Sequence, residues 1–255
     1  MANPQLTDMD TKKARPNLAF FASNLAIGYD DKIIQHNLNL YADAGHLIAL
    51  LGQNGSGKST LLRTLAGLQP ALSGTFSTMT LPPAERARKM ALVLTERLSL
   101  ENTTVEEIVA MGRYPYTSLL GTLTDTDQAA ILQALKQVDM LPFATHYYNN
   151  LSDGEKQRVL IAKALAQQTP LILLDEPTAH LDLPSRIKTM QLLQRLAHEE
   201  NKCILISTHE LDIALHTADT IWLMTQQGVQ VGTPITIRPF ILQEFGADIT
   251  PFLNL

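Results

Sequence analysis

Eight consecutive residues, Gly52-Gln53-Asn54-Gly55-Ser56-Gly57-Lys58-Ser59, have the types and spacing that hold a phosphate chain: Gly, four residues, then Gly-Lys-Ser. Glycines at 52, 55 and 57 let the backbone curl until successive N–H groups point inward, and the start of a following helix adds its positive end. Lys58 can reach β- and γ-phosphates, and the Ser59 hydroxyl is placed to ligate Mg²⁺. The pattern needs a buried strand before it and a helix after it, and the runs Leu47-Ile48-Ala49-Leu50-Leu51 and Thr60-Leu61-Leu62-Arg63-Thr64-Leu65 supply both. Gly52, Asn54, Gly55, Ser56, Gly57, Lys58, Ser59 and Thr60 are therefore the candidate contacts for a nucleoside triphosphate.

Two carboxylates end a second apolar run, Leu171-Ile172-Leu173-Leu174-Asp175-Glu176-Pro177. Open α/β sheets bind ligands at the carboxyl ends of their strands. There Asp175 can hold Mg²⁺, directly or through water, and Glu176 can orient and polarise an attacking water. A third segment, Leu151-Ser152-Asp153-Gly154-Glu155-Lys156-Gln157, reads as a capping box in which Ser152 and Glu155 open an apolar helix. A capped helix start is itself a place for an anion.

Elements must bring these segments together. Residues 18–51 show short apolar runs and alternation, as in Leu38-Asn39-Leu40-Tyr41, broken by Gly28 and by Asp43-Ala44-Gly45; this predicts strands and turns. From about Leu100 to Gln168 the spacing is helical, including Val105–Met111 and Gln128–Val138, with Thr124-Asp125-Thr126-Asp127 as a cap. The runs 171–174 and 203–207 flank a long helical pattern, which predicts a crossover in a parallel sheet. Thr220–Met224 and Gly228–Thr233 read as closing strands.

A chain of 255 residues suffices for one large α/β domain or for one domain with a sizeable insertion. With 20 basic against 25 acidic residues and a net charge of -5, no broad basic field is offered to nucleic acid. Residues 1–17 read as a loose polar tail without a secretory core, ahead of a domain over 18–255. No run of about eighteen apolar residues occurs, so the expectation is a protein that does not span a bilayer by itself. The single Cys203 falls in an apolar run and predicts a buried, inert thiol.

The Leu151–Gln157 segment resembles the signature sequence of ATP-binding cassette (ABC) ATPases, and it precedes the Asp175-Glu176 strand as in that family. Other family elements follow in order. Ala179-His180-Leu181-Asp182 resembles the loop along the dimer interface, His209 in Ser207-Thr208-His209-Glu210 matches the switch histidine, and Tyr29 is placed like the aromatic that stacks on adenine.

The resemblance implies a P-loop NTPase cassette with an N-terminal antiparallel β subdomain and a helical subdomain over about 97–168. It also implies ATP hydrolysis in a sandwich of two copies. In that arrangement Ser152 and Gly154 of one copy cap the phosphate held by Lys58 of the other, Glu176 is the general base, His209 contacts the γ-phosphate, and Asp182 joins the two sites. Two positions depart from the family pattern. Asp153 stands where the signature usually has Gly. Glu96, in Val93-Leu94-Thr95-Glu96, stands where a Gln is typical, beside the metal and facing the permease.

Val109–Tyr116 and Thr178–Asp182 are similar to importers of iron complexes, siderophore or haem, and of vitamin B12. That implies separate integral membrane permease subunits, a periplasmic or lipoprotein substrate-binding protein, and a peripheral position on the cytoplasmic face of the inner membrane. A short permease helix would dock near Arg97–Leu120. The competing class is a soluble ABC-type ATPase of DNA repair, translation or cofactor assembly. Such chains usually carry a second cassette, a coiled coil or a basic extension, and none is found here.

Overall fold

The structure is a computed structural model that describes residues 17–30, 32–95, 102–117 and 121–246. Among these, β1 (Leu18–Tyr29) pairs antiparallel with β2 (Lys32–Asp43) and, on its other edge, with β4 (Ser73–Phe76). Between β2 and β4 the chain forms β3 (Leu47–Gly52) and α1 (Lys58–Ala66). A short α2 (Pro83–Ala87) leads to β5 (Met90–Val93).

The second sheet has the order β5-β6-β7-β3-β8-β9, built with β6 (Leu171–Asp175), β7 (Cys203–Ser207), β8 (Thr220–Thr225) and β9 (Gly228–Gly232). Every pairing is parallel except β8 with β9. The strands and turns expected over 18–51, the parallel crossover and the closing pair are all present, and of the first group β1 and β2 are antiparallel while β3 joins the parallel sheet.

The central strands are apolar up to their last residues because both faces of this sheet are covered. Successive side chains point to opposite faces. Leu47, Ala49, Leu51, Ile172, Leu174, Ile204 and Ile206 join one core with the helices, whereas Ile48, Leu50, Leu171, Leu173, Cys203 and Leu205 join another. That second core also takes Leu61, Leu62 and Leu65 of α1 together with Phe20, Leu25, Leu38 and Leu40 of the antiparallel sheet. The phosphate-loop helix is thus held between the two sheets. Cys203 is fully buried there, and burial pushes its thiol up to about 12, as expected of an inert residue.

The opposite core belongs to α3 (Val105–Ala110), α4 (Asp125–Gln137), α5 (Asp153–Ala166) and α6 (Leu183–Glu199). α3, α4 and α5 each open on a reciprocal capping box, Thr104 with Glu107, Thr124 with Asp127, and Ser152 with Glu155. The helix expected over 105–111 is α only as far as Ala110; Met111–Tyr116, with Pro115 inside, tightens into a 3₁₀ turn. The tightening brings Gly112 against α5, where a Cβ would stand 2.2 Å from the Lys163 carbonyl oxygen.

Arg113 fastens this turn. Its Nε donates to Asp127 Oδ1 at 2.8 Å, and its Nη1 donates to the Ala166 carbonyl at 2.7 Å and to Gln168 Oε1 at 2.9 Å. α7 (Leu211–Thr217) and α8 (Arg238–Phe245) complete the described chain. No helix among the described residues is long and apolar enough to cross a membrane.

Candidate functional site

Three neighbouring parallel strands end side by side. β3 runs into the phosphate-type loop, β6 into Asp175-Glu176, and β7 into Ser207-Thr208-His209; their register pairs Leu50 with Ser207 and Asp175 with Ser207. The Thr208 N–H donates to the Leu50 carbonyl at 3.1 Å, which extends the alignment one residue past β7. Segments more than a hundred positions apart in the chain therefore share one edge, the carboxyl edge that binds ligands in open parallel sheets.

The loop has the conformation its glycines allow. Gly55 and Gly57 lie at φ 79 and φ 105, in the left-handed region, and Gly57 forms the N-cap of α1. A Cβ at Gly57 would also approach Ile34 Cγ2 to 2.8 Å. Lys58 is buried and folds back over the loop, its Nζ donating to the Gly52 carbonyl at 2.8 Å and to the Gln53 carbonyl at 3.0 Å. Burial holds its pKa below the ordinary lysine range, opposed by the carboxylates of Glu176 and Asp175.

Ser59, next along, donates from Oγ to Asp175 Oδ1 at 3.0 Å. The same Oδ1 accepts from Ser207 Oγ at 2.5 Å, and Thr95 Oγ1 donates to the Asp175 carbonyl at 2.8 Å. Glu176 follows at φ 46, with its N–H shared between Ser207 Oγ at 2.9 Å and the Ser207 carbonyl at 3.2 Å. A non-glycine residue in that region is held there by its surroundings. His209 Nδ1 stands 3.6 Å from Glu176 Oε1. Tyr29, half exposed, shares a hydrogen bond of 3.2 Å between its hydroxyl and Thr60 Oγ1, so its ring is tethered to the helix behind the loop.

Lys58, Ser59, Asp175, Glu176 and His209 thus converge, with Tyr29 and Thr60 alongside. Ser152 is engaged at the start of α5, and Gly154 faces the start of α6. Ser152 Oγ donates to Glu155 Oε2 at 2.7 Å, and a Cβ at Gly154 would lie 3.1 Å from Ser185 Oγ. The bonds from Ser152 draw the Glu155 carboxyl below the usual range. Asp182 caps α6, accepting from the Ser185 N–H at 3.2 Å, and bonds from Ser185 hold its carboxyl low as well. Asp153 lines one cleft with Glu176, Thr95 and Tyr148. Glu96 and the segments 97–101 and 118–120 lie outside the described residues.

Sequence reasoning named Ser207 and Thr95 only as parts of motifs and assigned neither a role. Their signal was a hydroxyl at or just past the end of an apolar strand, the one kind of side chain there that can donate to a carboxylate or a carbonyl on the neighbouring strand.

The donor set fits a magnesium ion. Ser59 and Asp175 present hard oxygens in mutual contact, and among the described residues no group of three or more His, Cys, Asp or Glu could hold a metal by itself. Mg²⁺ is commonly bound in this way, through one or two protein oxygens together with substrate phosphates and water.

Known proteins resemble this chain in sequence and in fold. The ABC transporter family pattern matches residues 35–179. The iron(3+)-hydroxamate import ATP-binding protein of Bacillus subtilis is 38% identical over 195 residues, covering 74% of this chain and 72% of that protein. The cobalamin import ATP-binding protein of Halobacterium salinarum is 38% identical over 206 residues, covering 76% of this chain but 51% of its own length. A dimeric bacterial ABC transporter cassette of known structure superposes with a TM-score of 0.71 at 28% identity, covering 84% of this chain and 98% of that one. On its phosphate-type loop, its strand-end carboxylates, its fold and these similarities, the chain is an ABC-type ATPase cassette and belongs to the ABC transporter family.

Proposed function

We propose that the chain is the ATP-hydrolysing subunit of an importer, energising uptake of an iron complex (siderophore or haem) or of vitamin B12 through a separate permease. The observation that carries the catalytic part is the convergence of Lys58, Ser59, Asp175, Glu176 and His209 at one sheet edge. The import part is supported by the relatives' hydroxamate and cobalamin roles. Residues 18–255 form the ATPase domain in this reading, with 97–168 as its helical subdomain and 1–17 as a tail ahead of it.

The loop amides of Gly52 to Thr60, with Asn54 and Ser56 among them, receive the phosphates, and Tyr29 stacks on adenine. Lys58 exchanges the Gly52 and Gln53 carbonyls for β- and γ-phosphate oxygens. Both carbonyls are neutral acceptors, so the exchange replaces ammonium bonds to neutral oxygens with bonds to anionic ones. Glu176 accepts a proton from the water that attacks the γ-phosphorus, as the bond to the ADP oxygen breaks. His209 contacts the γ-phosphate and the water. Ser59 and Asp175, with Glu96, are the residues that would hold Mg²⁺; when bound, the ion neutralises charge on the phosphate oxygens.

In this reading the γ-phosphate cap is completed by Ser152 and Gly154 of the partner subunit, with Asp182 at the join. The remaining partners are integral membrane permease subunits, one helix of which docks near 97–120, and a periplasmic or lipoprotein substrate-binding protein. The chain then works peripherally on the cytoplasmic face of the inner membrane.

Nucleotide retention and dimer mass, measured on the same samples, test the assignment. Lys58→Ala is expected to lose ATP binding, whereas Glu176→Gln keeps it and accumulates an ATP-bound dimer, because an amide cannot take the proton from water. Normal turnover by Glu176→Gln would remove Glu176 as the base.

A further inference from the structure

The loop that follows the carboxylate strand and the loop that carries His209 are joined by one arginine and one glutamate that the catalytic reading leaves unused. Arg186 lies in the first turn of α6. Its Nε donates to the Leu181 carbonyl at 2.7 Å, and its Nη1 stands 2.7 Å from Glu210 Oε1. The other carboxylate oxygen, Glu210 Oε2, accepts from Thr178 Oγ1 at 3.0 Å, and the Glu210 N–H donates to Thr208 Oγ1 at 3.1 Å. Thr178 and Thr208 are buried, and the Glu210 side chain is only 10% exposed.

Both ends of the 178–182 loop are thus fastened to the residue directly after His209. Leu181 is fastened through the guanidinium and Thr178 through the carboxylate. An ion pair with one partner exposed to solvent by itself adds little to stability. Geometry is what distinguishes this one. A planar fork bridging a carbonyl and a carboxylate, with the carboxylate's second oxygen also filled, fixes the distance between two loops more tightly than either bond alone. His209, whose Nδ1 is 3.6 Å from Glu176 Oε1, has its backbone held between Thr208 and Glu210.

We propose that Arg186 and Glu210 are positioning residues for hydrolysis. They clamp the 178–182 loop to the His209 loop, so that a second copy pressing on the first loop sets His209 against the γ-phosphate. This rests on the reading of His209 and of the two-copy site given above. It adds a physical link by which assembly of the dimer reaches the reacting phosphate.

The test is a double-mutant cycle on the full chain, with steady-state ATP hydrolysis, KM for ATP and thermal midpoint measured for each protein. Arg186→Ala is expected to lower kcat about tenfold, as befits a lost charge-assisted hydrogen bond, with KM for ATP and the midpoint nearly unchanged. Arg186→Lys recovers only part of the loss, since an ammonium lacks the fork that spans Leu181 and Glu210. Added to His209→Ala, Arg186→Ala costs nothing further, because it acts through His209. Losses that multiply in the double variant, or wild-type turnover in Arg186→Ala, would overturn the proposal. Should Arg186→Ala not fold, the same cycle with the near-isosteric Glu210→Gln decides by the same criteria. Normal turnover in His209→Ala would instead refute the role given to His209, and the proposal falls with it.

Discussion

Replacing Ser207 by Ala removes a single oxygen from the best-connected point of the site. Ser207 is fully buried, and its Oγ donates to Asp175 Oδ1 at 2.5 Å while accepting the Glu176 N–H at 2.9 Å. The second bond is partly replaceable, because that N–H also reaches the Ser207 carbonyl at 3.2 Å. The first is not replaced. Ser59 Oγ already donates to the same carboxylate oxygen, and the alanine methyl cannot donate. A hydrogen bond to a charged group is worth about 1.5–3 kcal/mol, so we expect a loss of about 2 kcal/mol. For a domain of this size that lowers the thermal midpoint by about 4–8 °C.

The same loosening frees Asp175 and the Glu176 backbone to shift, so kcat should fall at least about tenfold, the equivalent of about 1.4 kcal/mol. Calorimetry and steady-state ATP hydrolysis on the same preparations check both. If Ser207→Ala melts within about 2 °C of the parent and hydrolyses ATP at the same rate, Ser207 does not organise Asp175 and the Glu176 backbone, and the reasoning fails.

Two further outcomes concern the helical part. Gly112→Ala places a Cβ 2.2 Å from the Lys163 carbonyl and 3.2 Å from Ala166 Cβ, so overpacking should destabilise the protein by about 1–3 kcal/mol in denaturant titrations, a loss that unchanged midpoints would contradict. Bonds from the Thr124 side chain and backbone, followed by the Arg113 guanidinium, draw the Asp127 carboxyl from 3.8 down to about 2. A depressed carboxyl stabilises the fold above its unfolded pKa and loses that contribution as pH falls through its folded value. Asp127→Asn should therefore be less stable than the parent at pH 5, with the difference shrinking toward about pH 2; a gap constant over that range would show that ionisation of Asp127 is not what stabilises the turn.

Much of the site was legible from local chemistry. The loop at 52–59 needs particular residues at fixed offsets, so its glycines, lysine and serine could be read one by one, and the capping boxes at Thr124 and Ser152 followed from side chains reaching only three residues along. The apolar strands were visible because both of their faces are buried. Less legible were β4, α2 and β5, which at four or five residues are too short for a period to emerge. The α3 boundary was misjudged by one residue, since close approach to α5 rather than propensity ends it.

The sequence alone determined which residues could hold a phosphate chain and where the carboxylates must fall, because those properties depend on neighbours within a few positions. Only the tertiary structure decided that β3, β6 and β7 would lie side by side. That adjacency places Ser59 on Asp175, Ser207 against the Asp175 carboxylate and the Glu176 backbone, and Arg186 between two loops. Such contacts join residues separated by long stretches of chain. Their partners are set by strand order and register, which arise from the packing of the two cores and leave no mark at either position taken singly.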